Sequence, residues 1–89
     1  GPKPEAATEV PLEPSRPLAV LVVEDNPINS RVMQTLLRLW SHHATVATSG
    51  EQALELQKQH RYDLVLMDVQ MPGLSGLETT RRWRQREQE

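Results

Sequence analysis

The run Leu18-Ala19-Val20-Leu21-Val22-Val23 is apolar without interruption and stops at Glu24-Asp25. A strand with one wet face alternates polar and apolar residues. An unbroken run must be covered on both faces, as strands of parallel sheets are. Asn26 and Pro27 follow at once. Asn is a favoured N-cap and Pro suits the first helical position, so the chain must turn from strand into helix here. Ile28, Val32, Met33, Leu36, Leu37 and Trp40 then recur at helical spacing and predict a helix with one apolar face.

The same grammar repeats twice. Ala44-Thr45-Val46-Ala47 reads as a short second strand. Ser49 to Gln52 matches a capping box that opens a second helix to about Gln59, with Ala53, Leu54 and Leu56 as its apolar side. Leu64-Val65-Leu66-Met67 is a third buried run, ending in Asp68. The loop Val69-Gln70-Met71-Pro72-Gly73-Leu74 carries a Pro-Gly turn. Ser75 to Glu78 is a second capping box and starts a third helix, which bears Leu77 and Trp83 and fades into Arg84-Gln85-Arg86-Glu87-Gln88-Glu89. The order β-α-β-α-β-α predicts an α/β fold: a parallel sheet with right-handed crossovers.

Before Leu18 the composition changes. Five of the seven prolines stand at positions 2, 4, 11, 14 and 17, among Glu5, Glu9, Glu13 and Ser15, so residues 1–17 read as an extended linker. Gly1-Pro2 resembles the scar of a tag-cleaving protease. The expectation is one domain over 18–89, cut from a longer, multidomain parent. A net charge of −2 gives no long-range attraction to nucleic acid or anionic lipid. With no cysteine, disulfides and thiolate metal sites are excluded, which fits a reducing cytosol. No apolar run approaches the ~20 residues that span a bilayer, and Gly1 to Ser15 has no apolar signal core. The expected location is cytoplasmic, with any membrane anchor elsewhere in the parent.

Two strand ends carry the candidate chemistry. In open parallel sheets ligands bind beyond the carboxyl ends of the strands, where strand order switches. Glu24-Asp25 ends the first strand and Asp68 the third. If those strands are neighbours, three carboxylates crowd one crevice and resist joint ionisation. A divalent cation removes the conflict, and hard carboxylate oxygens suit Mg²⁺. A carboxylate held beside such an ion is also a competent nucleophile toward phosphorus. Glu24-Asp25 alone is equally well explained as acid at the positive end of the first helix. Asp68 is not, because no helix starts directly after it.

Other residues have plainer readings. Met33, Met67 and Met71 belong to packing. His42-His43 falls in the loop before strand two, and His60 closes helix two; an adjacent pair offers too few convergent ligands for a metal. Arg81-Arg82-Trp83-Arg84-Gln85-Arg86 could suit a single-stranded nucleic acid. A solvated face with Trp83 turned inward is the favoured reading, and no nucleic-acid partner is expected. Ser49 and Ser75 are caps, not nucleophiles. No Gly-rich phosphate loop follows strand one, which argues against a nucleotide-binding fold of that type.

Val22-Val23-Glu24-Asp25-Asn26, together with the stretch from Leu64 through Asp68-Val69-Gln70-Met71-Pro72-Gly73-Leu74-Ser75-Gly76-Leu77-Glu78, resembles the receiver domain of two-component signalling. Glu24-Asp25-Asn26 with Asn29 looks most like receivers of hybrid sensor histidine kinases. The resemblance covers 18–89 and implies a flavodoxin-like sheet. It implies that Asp68 is the phosphoacceptor and that Mg²⁺ is held by Asp25 and Asp68, by the Gln70 backbone carbonyl, and by Glu24 directly or through water. Pro72 and Gly73 would shape the loop after the acceptor. The donor would be a phosphohistidine of a kinase or phosphotransfer domain, making the piece a phosphoacceptor rather than a stand-alone enzyme. Family members have five strands and five helices, so this chain is expected to be cut after the third helix. It would lack the Ser or Thr of strand four and the Lys of strand five, which contact the phosphoryl group. Two further expectations follow, a bare, apolar outer edge on strand three and a first helix missing a neighbour, which together would leave the fragment either loosely folded or self-associating through that edge. The alternative function is an interaction module that is never phosphorylated.

Overall fold

The structure is a computed structural model and describes residues 16–88; of the linker expected over 1–17, residues 1–15 lie outside them. The described residues form β1 (Ala19–Val23), α1 (Pro27–Leu39), β2 (His43–Ala47), α2 (Gly50–Gln59), β3 (Leu64–Met67) and α3 (Gly76–Glu87). The strands make one sheet in the order β2-β1-β3. Both pairings are parallel, with Val23 opposite Ala47 on one side and Met67 on the other.

The sheet order explains the unbroken run. β1 is central, and Val20 to Val23 are almost wholly buried. Alternate side chains serve opposite faces. Leu21 and Val23 pack with Ala47, Ala53, Leu54, Met71 and Trp83 beneath α2 and α3. Val20 and Val22 pack with Leu37, and with Met33 and Leu66 at the margin, beneath α1. The layers are therefore α1, sheet, then α2 with α3. No helix among the described residues is long and apolar enough to cross a membrane.

Local chemistry sets the element ends. Asn26 Oδ1 accepts from the N–H groups of Ile28 (2.8 Å) and Asn29 (3.2 Å), capping α1. Ser49 Oγ accepts from Gln52 N–H (3.0 Å), and Ser75 Oγ from Glu78 N–H (3.1 Å). The expected reciprocal half of each capping box is redirected. Gln52 Oε1 takes the Thr48 N–H at 2.6 Å, one residue earlier than the box requires. Glu78 turns its carboxylate to Arg81 and Arg82.

Five sequence expectations need correction. His43 is not a loop residue but the first residue of β2. Leu18 precedes β1, and its N–H donates to His42 Nδ1 at 3.0 Å, so that histidine ties β1 to the turn before β2. The apolar face of α1 is split: Met33 and Leu37 meet the sheet, whereas Ile28 and Val32 are 72% and 53% exposed and Leu36 is exposed beside them. α3 does not fade after Trp83 but runs regularly to Glu87. Arg, Gln and Glu are good helix formers, and Trp83 Nε1 bonds Glu87 Oε2 one turn on, at 3.2 Å. Trp83 itself is only 9% exposed, turned into the core as expected. β3, read as buried, is only half-buried, with Leu64 43% exposed, because it pairs with β1 alone.

Candidate functional site

Because β1 and β3 are adjacent and Val23 lies opposite Met67, the next residue on each strand falls at the same edge. Asp68 N–H donates to Val23 O (2.9 Å) and Glu24 N–H to Ala47 O (2.9 Å), so sheet bonding continues into the acids and fixes their backbone. Glu24, Asp25 and Asp68 each present a carboxylate oxygen, all within 4.8 Å of one another. Glu24 and Asp68 are half-buried and Asp25 is exposed. A small cleft of about 290 Å³ opens beside Glu24 and Asp68, walled by Val22, Met33 and Leu66.

Each acid is oriented by a near neighbour. Asn26 N–H donates to Glu24 Oε2 at 3.1 Å. Gln70 N–H donates to Asp68 Oδ1 at 3.0 Å, which holds Gln70, an exposed residue, beside the acid. Asp68 Oδ2 accepts no hydrogen bond from the described residues.

Two glycines shape the loop after Asp68. Gly73 has φ +76°, a left-handed conformation that favours glycine, in keeping with the Pro-Gly turn. Gly76 is needed for another reason. A Cβ there would run into Asp68 O and lie 2.6 Å from Val69 Cα, so α3 starts in direct contact with the phosphoacceptor candidate's backbone. The sequence marked Gly76 only as part of a motif. Asn26 was legible as a helix cap, but its hold on Glu24 was not.

Among the described residues no Lys, Arg or His forms a salt bridge with Glu24, Asp25 or Asp68. Three clustered carboxylates without a cation repel one another. An all-oxygen donor set open to solvent fits a hard divalent ion that retains water ligands, Mg²⁺ above all. The residues present therefore fit the metal that the sequence suggested.

The sheet order, the acid cluster at its carboxyl edge and the glycine-shaped loop define a flavodoxin-like α/β architecture with an acidic site at the strand ends. The family model for the response regulator receiver domain matches residues 20–89, and the chain belongs to that family. It is similar to the polar-differentiation response regulator DivK of Brucella anthropi, 40% identical over 65 residues, covering 73% of this chain and 53% of DivK. The chain thus spans about half the length of that relative. It is also similar to the receiver domain of a sensor histidine kinase from Pseudomonas aeruginosa, solved with a magnesium ion coordinated in its active-site cleft. That match has 38% identity and a TM-score of 0.70, and covers 73% of this chain and 53% of the other. A third likeness is to a Saccharomyces cerevisiae response regulator receiver solved together with a histidine phosphotransfer signaling protein. There the identity is 35% and the TM-score 0.76, with 81% of this chain and 50% of that chain covered.

Proposed function

We propose that this receiver accepts a phosphoryl group on Asp68 from a phosphohistidine, in a phosphorelay of the cytoplasm. The observation that carries the reading is the convergence of Glu24, Asp25 and Asp68 within 4.8 Å. Mg²⁺ would be held by the side chains of Glu24, Asp25 and Asp68 and by the Gln70 backbone carbonyl, and would neutralise charge on the transferring group. Asp68 Oδ2 is the nucleophile, because Oδ1 is engaged by Gln70 N–H. It forms the O–P bond as the P–N bond of the donor breaks, and the departing imidazole takes up a proton. The solved pairing of a yeast receiver with a phosphotransfer protein supports a histidine phosphotransfer domain or kinase as the partner. The likeness to a sensor kinase's receiver supports a hybrid sensor histidine kinase as the parent, with 1–17 as linker and 18–89 as part of its receiver.

The test is a ¹H–¹⁵N NMR titration with Mg²⁺ and then beryllium fluoride. Shifts centred on Glu24, Asp25 and Asp68, growing with the phosphoryl mimic, are expected. Indifference of those peaks to both additions rejects the assignment. In the intact parent, Asp68→Asn should abolish transfer from the cognate phosphohistidine.

A second reading has its own observation. β3 is hydrogen-bonded on one side only and its Leu64 is 43% exposed. Bare apolar edges recruit further strands, so this piece could serve as a self-association module that is never phosphorylated. Mg²⁺-dependent labelling of Asp68 in the 89-residue chain would count against it.

A further inference from the structure

At the opposite end of the sheet from the acids, α2 and α3 run side by side and their C-terminal turns flank a cleft of about 770 Å³. Volumes of this order are typical of small-ligand sites. Three cations line it from three different segments: Lys58 on α2, Arg61 in the loop before β3, and Arg86 on α3. The carboxyl end of α2 accounts for one cation, through its dipole. It does not account for Arg61, which lies beyond the helix, or Arg86, which belongs to another. The chain as a whole is net negative, so this concentration of positive charge runs against its average.

The cations are largely uncommitted. Lys58 has only a loose, exposed contact with Glu55 at 3.6 Å. Arg61 has no carboxylate partner among the described residues. Arg86 donates Nη1 to Leu54 O at 2.9 Å, which fixes the guanidinium at the cleft with further N–H donors to offer. The acid of the cleft, Glu87, is already engaged by the Trp83 indole N–H.

Beside the cations stands an aromatic wall. Tyr62 lies between His60, with ring centroids 6.3 Å apart at 66°, and Trp83, at 6.2 Å and 47°. Gln57 also lines the cleft. Its Nε2 donates to Trp83 O at 2.9 Å, which fixes the amide's orientation and leaves Oε1 shielded from solvent with no donor among the described residues.

Guanidinium forks match phosphate oxygens, and aromatic side chains receive a planar ring. We propose that this cleft binds a nucleoside phosphate, with the phosphate toward Arg61 and Arg86 and the base along Tyr62. The site is separate from the acid cluster, so occupancy does not compete with metal at Asp68.

The test is a titration of the 89-residue chain with adenosine monophosphate in EDTA, followed by ¹H–¹⁵N NMR. Saturable shifts are expected at the amides of 57–62 and at the Trp83 indole N–H, with Kd of about 1 mM or tighter. Arg61→Glu, at an exposed loop position, should weaken binding by about tenfold or more while circular dichroism is unchanged; Arg86→Gln should weaken it too. Adenosine and inorganic phosphate should each bind at least about tenfold more weakly than the nucleotide. Three results would overturn the proposal: no saturable shift, shifts centred on Glu24 and Asp68, or undiminished binding in both variants. Equal binding of inorganic phosphate would overturn it as well, since it would mean a bare anion patch without ring recognition.

Discussion

At Gly76 the absence of a side chain decides how closely α3 can approach Asp68. Gly76→Ala should force the loop and helix apart and destabilise the domain by about 1–3 kcal/mol, the usual range for overpacking, read from urea unfolding. Gly73→Ala strains only an exposed turn and should cost about 1–2 kcal/mol. Glu78 gives a pH signature. Hydrogen bonds from Arg81 and then Arg82 pull its pKa from an ordinary 4.5 down to about 2. The folded-state pKa is below the unfolded one, so this contribution to stability is complete above about 4.5 and is lost as pH falls toward 2. Asp63, held below its ordinary range by Arg16 and the Ala19 N–H, adds a loss of the same sign. Glu78→Gln should flatten the dependence of the thermal midpoint on pH between about 4.5 and 2 and leave it unchanged in slope near neutrality. An unaltered acid limb would remove Glu78 from the account.

Among the elements, α1 separates what spacing can reveal from what it cannot. Ile28, Val32 and Leu36 form one stripe; Met33 and Leu37 form the next. Helical periodicity marks both as apolar, but which stripe meets the sheet depends on where the sheet lies, and no local pattern carries that. Val32→Lys should therefore change stability by no more than about 0.5 kcal/mol, as exposed substitutions do. Leu37→Ala should cost about 2–5 kcal/mol, since it empties a buried site under β1. Denaturant titration of the two variants distinguishes the stripes. The strands and caps were legible because their signals are local: an unbroken run, an Asn-Pro, a Ser three residues before Glu or Gln. His42 was not, because its role is to accept a hydrogen bond from Leu18, far away in sequence. The acid cluster was half legible. Sequence put acids at two strand ends, but only the order β2-β1-β3 makes those ends neighbours.

For the molecule as a whole, the two sheet edges differ. β2 alternates exposed His43 and Thr45 with covered residues, as an edge strand should. β3 is apolar throughout and has no such polar residue. Sedimentation over a concentration series should show reversible association that Leu64→Lys weakens; a monomer at every concentration would mean that the edge is protected in some other way.

The central position of β1 also bears on how the chain emerges from the ribosome. β1 is made first, yet its second neighbour, β3, ends roughly forty residues later, which at typical elongation rates is a delay of about 2–9 s. Through that interval the most apolar strand of the protein has no complete sheet to join. Leu18 to Val23 should therefore serve as a chaperone-binding segment of the nascent chain, and the yield in cells should rise with holdase capacity.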